Sequence, residues 1–139
     1  MRPIKLKLSG LNSYVDNQVI DFEKLTERGL FGIFGPTGSG KSTILDAITM
    51  AMYGNIPRNT KEYINSASDK ANISYEFEIG SKDFKRRYIV DRTIKRTKTG
   101  GILTSHCRLV EIHNDEQSTV LADKATEVNK KISEVVGLT

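Results

Sequence analysis

A chain of 139 residues, 37% hydrophobic and 27% charged, carries enough apolar material for one domain with a core and leaves little room for a second. No apolar run approaches the length that spans a bilayer, and Met1-Arg2-Pro3-Ile4-Lys5 leads into alternation instead of a signal-peptide core, so a cytoplasmic location and no membrane association are expected. The single Cys107 cannot build a disulfide framework, His106 and His113 lack partners at metal-ligand spacing, and a net charge of +4 permits an anionic partner without demanding one.

Ile4, Leu6 and Leu8 alternate with Lys5, Lys7 and Ser9, the period of a half-buried strand. Residues 10–17 supply turn chemistry, and residues 19–22, Val-Ile-Asp-Phe, form a second short strand, so a hairpin is expected. A polar connection over 23–29 leads to residues 30–34, Leu-Phe-Gly-Ile-Phe, an apolar run suited to a buried parallel strand. It enters Gly35-Pro36-Thr37-Gly38-Ser39-Gly40-Lys41-Ser42-Thr43, which fits G-x-x-x-x-G-K-[ST]. The glycines let the backbone turn its N–H groups inward as a nest for phosphate oxygens, and the following helix adds the positive end of its dipole. Lys41 then neutralises the β- and γ-phosphates, and Ser42 offers a hydroxyl to a Mg²⁺ bridging them.

After the loop, Ile44, Leu45, Ile48, Ala51 and Met52 recur at helical spacing through Tyr53, and Gly54 sits where a glycine ends a helix. Pro57 prevents continuation, and residues 61–72 read as a polar connection. Alternation returns at Ile73, Tyr75, Phe77 and Ile79, then strands are expected over 84–94, 102–112 and 118–121, joined by turns at 81–83, 99–101 and 114–117. This is an antiparallel meander, distinct from a parallel core. The final helix places Ala125, Val128, Ile132, Val135 and Val136 on one face, with Asp123 or Thr126 as N-cap and Gly137 as stop.

Hydrolysis needs more than a phosphate loop: an apolar strand ending in an acid that holds the Mg²⁺ shell, and a group that orients water. The near miss is Tyr88-Ile89-Val90-Asp91, whose meander setting and basic neighbours favour an ordinary strand carrying an ion pair. Gln18 lies in the first hairpin and Gln117 in a turn, so neither suits water. The chain reads as half of a nucleotide-binding fold.

Residues 4–8, Leu11-Asn12-Ser13-Tyr14, residues 19–22, and the run from Gly29 through the loop to Leu45-Asp46-Ala47-Ile48 and Tyr53-Gly54 resemble the N-terminal ATPase lobe of the SbcC-type, SMC-like ABC ATPases of DNA double-strand-break repair. The resemblance implies an α/β, P-loop NTPase fold: the N-terminal half of an ABC/SMC-type head with an antiparallel β meander, in which residues 1–139 form one nucleotide-binding lobe ending before a glutamine loop and coiled coil. It implies ATP and Mg²⁺ as cofactors. It also implies as partners a C-terminal ATPase lobe of the same protein, an SbcD-type nuclease, double-stranded DNA and a head-to-head homodimer. The C-terminal lobe of the family brings the signature motif, the acidic strand with its glutamate and the switch histidine, so this lobe is expected to bind ATP and to be inactive alone.

Relatives carry an arginine after the first strand where this chain has Asn12; Asn12 and Ser13 keep hydrogen-bonding capacity toward the nucleotide but no charge. By the same resemblance Arg86, Arg87, Arg92, Lys95 and Arg96 would face DNA, with salt-sensitive phosphate contacts. Two other readings stay open: a standalone nucleotide-switched DNA-binding module without turnover, and a small kinase or GTPase, which the absent Asn-Lys-x-Asp motif disfavours.

Overall fold

The alternating segments of the two ends of the chain close into one sheet. The computed structural model describes residues 2–10, 18–22, 41–54, 70–81, 84–98, 102–113 and 117–137. Within them lie β1 (Arg2–Ser9), β2 (Gln18–Asp21), α1 (Lys41–Tyr53), β3 (Lys70–Ser81), β4 (Phe84–Arg96), β5 (Ile102–Ile112), β6 (Ser118–Ala122) and α2 (Ala125–Gly137). The strands form a six-stranded sheet in the order β2-β1-β3-β4-β5-β6. Every neighbouring pair is antiparallel.

The expected hairpin and meander are therefore one sheet, because β1 pairs with β3 through Leu6 opposite Tyr75 and Leu8 opposite Ile73. Burial explains the union: on the pleat, both strands turn apolar residues to the same side, and pairing them makes that face continuous. Ile4, Leu6, Leu8, Ile73, Tyr75, Phe77, Tyr88, Val90, Ile94 and Leu109 are all buried. Tyr75 stacks near Phe77 with ring centroids 5.5 Å apart, and Phe77 on Tyr88 at 5.6 Å, an aromatic row across β3 and β4. The register slips between Pro3 and Lys5, where proline has no N–H to give to the ladder, and again between Thr93 and Ile94 opposite an extra residue in β5.

Both helices cover this apolar face. α1 packs on β3 and β4, α2 on β5 and β6, and the helices touch each other. α1 sinks Ala47, Met50, Ala51 and Met52 into the core while Ile48 is only partly buried, so its inward face is wider than the expected one. α1 ends as expected: Gly54 has φ 75° and its N–H donates to the Met50 carbonyl at 2.9 Å.

Some boundaries differ from those expected. β3 begins at Lys70, taking residues 70–72 out of the connection, and β4 runs on to Arg96. Phe22 lies outside β2 but is buried in the core. At α2 the first helical bond runs from the Val128 N–H to the Lys124 carbonyl at 2.8 Å, which makes Lys124 the capping position and leaves Thr126 inside the helix, as is Gly137. The strand expected over 30–34 and the phosphate loop over 35–40 lie outside the described residues.

Candidate nucleotide site

α1 begins at Lys41, the lysine of the phosphate-binding motif, with Ser42 and Thr43 following in its first turn. The first-turn N–H groups of a helix have no intrahelical acceptor, and with the dipole they favour an anion. That turn holds no acidic residue to compete with one. The rest of the helix is anchored by burial of Ala47, Met50, Ala51 and Met52, so the first turn projects from a packed element. Gly35, Pro36, Thr37, Gly38, Ser39 and Gly40, together with Asn12 and Ser13, lie outside the described residues.

The far end of α1 meets a residue that the family resemblance placed elsewhere. Arg92, expected on a DNA-facing surface, is 1% exposed, because the alternation of β4 gives it the parity of Val90 and Ile94 and turns it into the core. Its Nε donates to the Ala51 carbonyl at 2.7 Å and its Nη2 to the Asn129 Oδ1 of α2. Burial lowers its pKa from the usual arginine value. Burial likewise raises the thiol pKa of Cys107, the residue paired with Arg92 on β5, with the nearby guanidinium opposing the shift.

The other basic residues of β4 do not share one face. Arg87 and Lys95 have the outward parity and Arg86 and Arg96 the inward one. Arg87 ion-pairs with Glu76 at 3.4 Å and Glu78 at 3.5 Å, while Arg2 and Lys85 also reach Glu78. Asp91 pairs with Arg108 at 3.4 Å on the outer face of the sheet, which is the ion-paired strand the sequence suggested. A depression of about 310 Å³ on that outer face is lined by Lys7, Ser9, Asn72, Asp91, Thr93 and Arg108 among others. It lies across the sheet from α1.

The inward position of Arg92 had a readable signal in the sequence, its even spacing from Val90 and Ile94. Asn129 had only its position beside Val128 on α2, too weak a sign to single it out.

A family model described as an AAA domain matches residues 5–136. The chain is 48% identical to the SbcC subunit of the nuclease SbcCD from Clostridium acetobutylicum, over 99% of this chain and 12% of that protein. It is 48% identical to the corresponding SbcCD subunit of Bacillus subtilis, over 100% of this chain and 12% of the relative. A probable DNA double-strand break repair Rad50 ATPase of Aquifex aeolicus is 32% identical, over 99% of this chain and 13% of its own length. The chain thus spans about an eighth of the length of these relatives. It belongs to the AAA domain family, and over its whole length it is similar to part of the SbcC subunits.

Proposed function

We propose that this chain is the ATP-binding N-terminal lobe of an SbcC-type DNA repair ATPase. With a C-terminal lobe of the same protein and an SbcD-type nuclease, it couples ATP binding and hydrolysis to the processing of DNA double-strand ends. The observation that carries the reading is the join between motif and helix: α1 starts at Lys41, so the lysine and hydroxyl residues of the motif fall in the turn best suited to phosphate. The names of the relatives, a nuclease subunit and a double-strand break repair ATPase, support the repair setting.

The roles follow from residue chemistry. Backbone N–H groups of residues 35–40 hold phosphate oxygens, Lys41 sets a positive charge against the β- and γ-phosphates, and Asn12 and Ser13 hydrogen-bond the nucleotide. Ser42 and Thr43 close the site, and the Ser42 hydroxyl is the hard oxygen donor that Mg²⁺ accepts. When bound, Mg²⁺ supplies charge neutralisation at the terminal phosphates. Activation of water belongs to the C-terminal lobe, so turnover requires the assembled head and its head-to-head homodimer. DNA phosphates are met on the outer face of β4 by Lys95, and by Arg87 in exchange for its carboxylate partners, Arg86 and Arg96 having the opposite parity. Arg92 is excluded by its burial.

Lys41→Ala is the direct test. It weakens MgATP binding on the order of 10- to 100-fold, the loss of one charge-assisted contact, while the urea midpoint of the unliganded protein stays put. Unchanged affinity for a fluorescent ATP analogue would refute the site.

A further inference from the structure

α1 is held at its far end by a charge it does not itself carry. Its last turn contains no basic residue, and the guanidinium facing its final carbonyls comes from Arg92 of β4. The same guanidinium hydrogen-bonds Asn129 of α2. The contact is close on every side: a Cβ added to Gly54 would lie 3.0 Å from Arg92 Nη1 and 3.5 Å from Asn129 Nδ2. Among the described residues no carboxylate ion-pairs with Arg92, so its charge is met by neutral acceptors and by the negative end of the α1 dipole. Burying a guanidinium this way is costly, and a methionine of similar length would fill the space without that cost. What methionine cannot do is bind two helices at once with directed N–H donors. A guanidinium fork does so with its planar, fixed geometry.

The two ends of α1 are mechanically one object. From Ser42 to Ala51 the helical rise is about 14 Å, along a packed and hydrogen-bonded rod. We infer that Arg92 is a positioning residue that couples the phosphate-loop helix to α2, so that nucleotide occupancy at the first turn of α1 and the placement of α2 are linked. Linkage is reciprocal: what shifts α2 changes nucleotide affinity by the same factor that nucleotide changes the equilibrium of α2. This rests on the nucleotide reading above, and goes beyond it by naming where the binding signal leaves the site.

Hydrogen exchange read by mass spectrometry on the intact polypeptide, with and without MgATP, tests it. In the parent protein MgATP slows exchange in residues 41–46 and also in 128–136, the latter by about fivefold or more. In Arg92→Met and in Asn129→Ala the slowing at 41–46 persists and that at 128–136 falls below about twofold. Arg92→Lys, whose ammonium lacks the fork, lies between. If Arg92→Met fails to fold, Asn129→Ala carries the test alone, since it removes one acceptor and no buried charge. Undiminished slowing at 128–136 in Asn129→Ala, or slowing confined to 41–46 in the parent, would overturn the coupling and leave the nucleotide site standing. No slowing anywhere in the parent would overturn both.

Discussion

Gly10 and Gly54 share a left-handed φ near 75°, yet they differ in what a side chain would meet. At Gly10 a Cβ would lie 2.4 Å from the Lys70 carbonyl oxygen, a backbone atom that cannot step aside without parting β1 from β3. At Gly54 the nearest atom belongs to Arg92, which has torsions to adjust. Gly10→Ala is therefore expected to cost about 3 kcal/mol or more and Gly54→Ala about 1–2 kcal/mol, measured by urea denaturation. Gly54 was legible from sequence as a helix stop; Gly10 was only one turn residue among several, because its constraint comes from a strand sixty residues away in the chain.

Tyr75 gives a residue-scale prediction in pH. It is fully buried, and burial drives its phenol pKa well above the ordinary value of 10.0. With the folded pKa above the unfolded one, the unfolded chain binds fewer protons once pH exceeds about 10, so stability is intact below that pH and falls as pH rises further. Tyr75→Phe should flatten the fall between about pH 10 and 11 in denaturant titrations. An equally steep decline in that variant would assign the alkaline lability to other groups.

At the scale of elements, β4 shows how one strand serves two faces. Its inward residues Tyr88, Val90, Arg92 and Ile94 meet the helices, while its outward Arg87 and Asp91 form ion pairs with neighbouring strands. The Asp91–Arg108 pair is partly exposed, with side chains 27% and 45% accessible, so solvent screens it. Asp91→Asn should cost less than about 1 kcal/mol and leave MgATP affinity unchanged, as calorimetric titration would show. A large loss of affinity would instead make Asp91 part of a Mg²⁺ shell.

The strand expected over 30–34 lies outside the described residues; within them the strands and both helices were legible because amphipathic periodicity is a local property. Their limits were less so: residues 70–72 read as polar linker, yet they are strand, since Ala71 is buried and Asn72 hydrogen-bonds Ser9 and Thr93 across the sheet. A partner strand decides such cases, and it is not written in the local pattern.

For the molecule as a whole, the proposed division of labour predicts that this chain binds MgATP but turns it over only in company. Mixing it with the C-terminal lobe should restore hydrolysis above either part alone, followed by phosphate release. A folded complex that stays inactive would count against the proposal. Tight, salt-sensitive duplex binding by this chain in isolation would favour a nucleotide-switched DNA-binding module instead. Among the described residues no helix is long and apolar enough to cross a membrane.

By itself the sequence determined the phosphate motif, the helix that follows it and the strand alternation, because each is set by neighbours within a few residues. The family resemblance rested on residue-by-residue matches that are strongest over residues 1–58. Only the tertiary structure decided that β1 joins the later strands in one sheet and which groups the inward Arg92 meets there. It also decided that α1 and α2 meet through the Arg92 guanidinium. These outcomes depend on which faces come together, and burial of a charge becomes tolerable only where a helix end and a side-chain amide, distant in the chain, converge on it.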